Sequence, residues 1–133
     1  MMNKQAIVLG AFFAGIAVIL GAFGAHALKA VMTPDKLLVF ETGVRYHFYH
    51  SFALMFAGIL YYSFPTKQLK LSVSFFITGI LLFSGSLYAI SLLSISGGTI
   101  GPLGILTPIG GVFFILGWAM IVAGVATHKP MKG

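Results

Sequence analysis

Apolar residues do not alternate with polar ones along this chain; they come in runs. Four largely apolar stretches, at about 6–27, 45–64, 71–93 and 108–127, are separated by short segments that hold most of the lysines. As a helix, each stretch is about 30 Å long at ~1.5 Å per residue, enough to cross the hydrocarbon core of a bilayer. The pattern predicts an all-α membrane protein, a bundle of four transmembrane helices forming a single domain over 1–133. Lys4 ahead of the first run and Ala25-His26-Ala27 at its end resemble a signal peptide. The run exceeds the ~7–15 apolar residues of such a peptide, so it reads as an uncleaved helix.

The start of the second helix is marked by Thr33-Pro34-Asp35. Thr suits an N-cap, Pro suits the first helical position, and an acid suits the positive end of the helix dipole. From Pro34 the helical pattern continues to Phe64, about 46 Å as a straight rod and too long for one simple crossing. The expectation is a short interfacial helix at 34–42, a bend near Gly43, a crossing at 45–64 and a stop at Pro65. A turn-rich loop, Ser96-Gly97-Gly98-Thr99 with Gly101-Pro102, follows the third helix. Thr107-Pro108 repeats the cap-then-proline signature and should open the fourth.

Composition sharpens this picture. Charged residues make up 8% of the chain and hydrophobic residues 59%, with a mean hydropathy of +1.03. A soluble domain carries roughly a quarter charged residues, so this class is excluded. There is no cysteine, which excludes disulfides, thiolate metal sites and Cys nucleophiles. Asp35 and Glu41 are the only acids, too few for a carboxylate metal site. The net charge of +6 is arranged as an orientation signal rather than a nucleic-acid surface. Four crossings would put Lys4, Lys67, Lys70, Lys129 and Lys132 on one side. Lys29, Lys36 and Arg45 would lie on the other, with both acids. The lysine excess predicts both termini in the cytoplasm of a bacterial inner-membrane protein. No nucleophile motif, phosphate loop or dinucleotide fingerprint is present, so the reading is non-enzymatic, with no cofactor and no metal.

Membrane helices adhere through close packing over small residues. The first helix carries Gly10, Ala14, Ala17, Gly21, Gly24 and Ala25 at spacings of three and four; the fourth carries Gly110, Gly117 and Gly124. The third offers Ser74, Thr78 and Gly85. These stripes fit packing within one bundle or a homo-oligomer face. Trp118 falls mid-helix, where it reads first as a lipid-facing or core aromatic and second as a ring whose N–H calls for a partner such as a serine of the third helix.

Ionisable groups inside apolar runs are costly, about 2.5–3.5 kcal/mol at the bilayer centre. Glu41 and Arg45 are four apart and can pair on a helix. His47 and His50 share an adjoining face. Counting from helix ends places His26, Glu41, Arg45, His47 and His50 at similar depth in the outer leaflet, with Tyr88 nearby. One reading is architectural: the charges neutralise each other and the histidines bond freed carbonyls. The functional readings are headgroup recognition by Arg45 with Lys29 or Lys36, haem or metal ligation by His26 with His50 or His47, and proton movement through His and Glu.

Four short motifs carry a resemblance. They are Gly21-Ala22-Phe23-Gly24-Ala25-His26-Ala27-Leu28, Glu41-Thr42-Gly43-Val44-Arg45-Tyr46-His47 with His50, Phe83-Ser84-Gly85-Ser86-Leu87-Tyr88, and Leu106-Thr107-Pro108-Ile109-Gly110-Gly111. In order and spacing the chain resembles the domain-of-unknown-function 423 family, small inner-membrane proteins of the YgdD and YwdK type with a mitochondrial relative. The resemblance implies four membrane helices and no established activity. It also directs attention to His26, Glu41, Arg45, His50, Ser84, Ser86 and Tyr88. The expected function is binding of a membrane lipid or a membrane-protein partner in support of membrane integrity or complex assembly. The alternatives are a small oligomeric transporter or proton pathway, and a haem- or quinone-binding redox subunit.

Overall fold

In the computed structural model, which describes residues 2–129, those residues form four helical rods and no strand. The first rod is α1 (Met2–His26), followed by a 3-10 turn at Leu28–Ala30. The second is α2 (Pro34–Ser63). The third comprises α3 (Lys67–Gly79), a π-helical turn at Ile80–Ser84 and α4 (Gly85–Ile95). The fourth is α5 (Leu103–Ala126). Three helical segments are long and apolar enough to cross a membrane: Lys4–Ala30, Lys67–Ile95 and Leu103–Ala126. Lys132 lies outside the described residues.

The expected interfacial helix at 34–42 is not a separate element, because α2 runs unbroken through Gly43. Gly43 serves close approach rather than a bend. A Cβ there would lie 2.9 Å from Cε1 of Tyr88, so glycine lets the third rod reach the α2 backbone. Thr33 holds the N-cap position with extended backbone and Pro34 begins the helix. The Thr33 hydroxyl hydrogen-bonds the Asp35 carboxylate and holds that acid below its usual range, aided by backbone N–H groups of the first turn. The third rod starts four residues earlier than expected, with Thr66 as its N-cap. Pro108 does not open α5 but sits inside it. The carbonyl of Gly104 loses its N–H partner there, at an exposed helix start where that loss is cheap.

Neighbouring rods are antiparallel. Gly10 of α1 meets the Ser51 carbonyl of α2, Gly21 meets Val44, and Gly24 meets Phe40. On the other flank Gly110 of α5 lies on the backbone of Phe83, Gly117 on the Phe76 ring and Gly124 on Thr66 and Leu69. Ala17 is fully buried and Ala14 half-buried. In the third rod the tight approach is Gly79 against Phe114, whereas Gly85 faces open space. α2 is the axis of the molecule, packing against α1 on one side and against the third rod and α5 on the other. Its buried seam reads Phe40, Gly43, His47, His50, Leu54 and Ala57, spaced three and four apart. Apolar clusters close both ends of the seam, one around Leu28, Met32 and Phe40 and one around Leu54, Leu69 and Phe76. Two histidines occupy the middle.

Candidate functional site

His47 and His50 lie at the midpoint of α2, not near the end of a crossing. The expected common depth for the five ionisable residues therefore does not hold. Its premise was a break at Gly43, and without that break each residue keeps its place on a single 30-residue rod. From the α1–α2 register, His26 lies level with the segment just before Phe40, about 13 Å along the axis from His47. It is exposed in the last turn of α1. His26 thus cannot share a ligand with either α2 histidine.

His50 is 5% exposed and locked. Its Nδ1–H donates to the Tyr46 carbonyl at 2.7 Å, since a carbonyl only accepts. Nε2 is then the acceptor, and it receives the indole N–H of Trp118 at 3.2 Å. The imidazole stacks on Phe114, with ring centres 3.4 Å apart and planes 8° from parallel. Trp118 is partly exposed, and the partner of its N–H is His50, not a serine of the third rod. With both nitrogens engaged, His50 has no lone pair to offer a metal, and the described residues hold no cluster of three or more metal-ligating side chains of the His, Cys, Asp or Glu type.

His47 is 3% exposed. Its Nδ1 shares a hydrogen bond with the Tyr88 hydroxyl at 2.9 Å. Nε2 is the buried side-chain polar atom left unpartnered among the described residues. The Phe13 ring meets the imidazole edge-on.

Two serines of the third rod tie helices together. Ser84 donates to the Gly43 carbonyl at 2.7 Å, and Ser86 bonds Thr107 of α5 at 2.6 Å. Ser72, Ser91 and Ser94 instead bond carbonyls of their own rod. The π-turn ends at Ser84 and so holds the first of these contacts; such turns often mark constrained or functional places. Nothing in the sequence announced it. Phe114 and Thr107 were also missed, since a ring and a hydroxyl in an apolar run carry no signal until the partner helix is known.

Glu41 and Arg45 stand apart from this interior network. Both side chains are exposed on α2, and the expected ion pair between them does not form. An exposed pair four apart is worth only about 0.3–0.5 kcal/mol, too little to fix two long side chains. Arg45 lines a groove of ≈ 400 Å³ between α1 and α2. Its walls are Ala17, Val18, Gly21 and Ala22 of α1, and Val44, Phe48 and Tyr49 of α2. A second groove, of ≈ 490 Å³, lies between α2 and α5, with Tyr46, Phe83, Phe114 and Trp118 in its walls.

The family model described as "Protein of unknown function (DUF423)" matches residues 20–111, which include every side chain of this network except Phe13, Phe114 and Trp118. The chain belongs to this family. Among curated DUF423-like relatives, it is 43% identical to the UPF0382 membrane protein YwdK of Bacillus subtilis (strain 168), over 94% of this chain and 98% of that protein. A UPF0382 membrane protein of Staphylococcus aureus (strain bovine RF122 / ET3-1) is 40% identical over 95% and 97% of the two chains. One from Haemophilus influenzae is 35% identical over 98% and 100%. No solved structure matches the chain. DUF423 membership assigns no activity, so the chemistry has to be argued from these side chains.

Proposed function

We propose that this DUF423 protein is a non-enzymatic, four-crossing protein of the bacterial cytoplasmic membrane. It binds a lipid or a membrane-protein partner through the outward face of α2, and so supports membrane integrity or complex assembly. Both termini lie in the cytoplasm, and the α2 start and the 96–102 turn face outward. The lysine distribution and the antiparallel rods support this placement.

The observation that carries the reading is the contrast between inner and outer polar groups. Ser84, Ser86, His50 and Trp118 are committed to one another or to backbone. The cation Arg45 is instead exposed beside an apolar groove, with no ion-pair partner among the described residues. A charge that deep on an apolar surface is expensive unless something compensates it. The compensation comes from outside the chain. Apolar clusters at both ends of the His47–His50 seam argue against a proton path through the monomer.

Arg45→Ala tests the reading. Native mass spectrometry of gently extracted protein should show one retained species, lipid or protein, that the variant loses while remaining folded. If folding, retained lipid and partners are all unchanged, the proposal is wrong.

A further inference from the structure

Resting on the binding reading above, we infer that the outward face of α2 recognises the headgroup of phosphatidylethanolamine, with Arg45 on the phosphate, Glu41 on the ammonium and an acyl chain in the α1–α2 groove.

Glu41 and Arg45 are exposed, oppositely charged and one helical turn apart on the same face. Neither is neutralised by its neighbour. Their order along α2 matters. Glu41 lies nearer the Pro34 end and Arg45 about 6 Å deeper. Arg45 stands level with Val18 to Ala22 of α1, about 10 Å inside the end of that apolar run. Its long side chain can rise towards the headgroup zone while its stem stays on the apolar surface. A lipid in the outer leaflet presents its phosphate deeper than the group esterified to it. Phosphate therefore meets the guanidinium, whose planar fork suits two phosphate oxygens. The esterified group meets Glu41, where a carboxylate favours an ammonium over a second anion or a neutral alcohol.

The groove supplies the apolar half of the site. It extends to both sides of Arg45: Ala17, Val18, Phe48 and Tyr49 lie deeper, and Gly21 and Ala22, opposite Val44, lie on the Glu41 side. The small side chains leave a furrow in which one chain can lie. A quaternary ammonium has no N–H to donate to Glu41, which separates phosphatidylethanolamine from phosphatidylcholine. Phosphatidylglycerol satisfies Arg45 but places hydroxyls, not a cation, on Glu41.

The test is lipid competition. The protein is reconstituted in bilayers of equimolar phosphatidylethanolamine, phosphatidylglycerol and phosphatidylcholine, then released and weighed by native mass spectrometry. Wild-type protein should retain phosphatidylethanolamine with about two- to fivefold enrichment over each competitor, the size of one exposed ion pair. Glu41→Gln should lose the preference over phosphatidylglycerol while still retaining lipid. Arg45→Gln should lose retention of phosphatidylethanolamine and phosphatidylglycerol alike. Val18→Trp, which fills the furrow at an exposed position deeper than Arg45, should weaken retention of every lipid without changing the headgroup ratio. A wild-type preference for phosphatidylglycerol, or a preference that survives Glu41→Gln, overturns this assignment and leaves lipid binding through Arg45 standing. Retention of no lipid class, together with an Arg45-dependent protein partner, overturns the lipid assignment alone. Retention of neither overturns both readings.

Discussion

His50 has a single arrangement that satisfies both of its nitrogens: a proton on Nδ1 for the Tyr46 carbonyl and a lone pair on Nε2 for the Trp118 N–H. A second proton would set two donors against each other, so the ring is held neutral by geometry. Solid-state ¹⁵N spectra should show one Nδ1-protonated neutral tautomer for this residue. Trp118→Phe leaves a buried acceptor without a donor and should cost about 1–3 kcal/mol in stability. The double variant His50→Phe, Trp118→Phe removes both partners and keeps an aromatic ring on Phe114 and Phe76. It should be more stable than Trp118→Phe alone, because replacing both ends of a buried hydrogen bond by apolar groups approaches neutrality. Thermal unfolding of the three proteins in one detergent checks the order; a double variant no more stable than Trp118→Phe would show that the bond is not the main term.

At the scale of elements, packing is decided by where a glycine faces another helix. A Cβ on Gly117 would stand 2.5 Å from the fully buried Phe76 ring, which has no room to retreat. Gly117→Ala should therefore destabilise by about 1–3 kcal/mol, the usual scale of overpacking. Gly15 of α1 has nothing within 4 Å of such a Cβ. Gly15→Ala should be neutral or stabilising by up to about 1 kcal/mol, through helix propensity. Equal effects from the two changes, measured by unfolding in the same detergent, would contradict this account of the interfaces. The same elements mark what could be read beforehand. Unbroken apolar runs gave three of the rods, because length and hydropathy are local properties. The small residues of α1 and α5 were visible as stripes, but the partner of each was not. Gly43 was misread because a bend and a close approach ask for the same residue, and only the position of Tyr88 separates them. The pairing of His50 with Trp118 spans 68 residues, and no local pattern carries a contact of that range.

For the whole molecule, the placement of α2 governs everything proposed about its outward face. Three segments qualify as spans by apolarity; α2 carries Asp35, Lys36, Glu41 and Arg45 and is carried by its neighbours instead. Its partners on both flanks are apolar rods of membrane length, and its seam is buried between them, which supports the proposed crossing by α2. Because the chain has no cysteine, single cysteines report position without interference. Lys36→Cys and Thr99→Cys should react with a membrane-impermeant maleimide in intact cells. Lys67→Cys and Lys129→Cys should react only after permeabilisation. Labelling of positions 36 and 67 from the same side would remove α2 as a crossing and with it the depth assigned to Arg45. A full reversal would keep the four crossings but move Glu41 and Arg45 to the cytoplasmic leaflet. There the headgroup order along α2 would still hold, since the phosphate remains the deeper group in either leaflet.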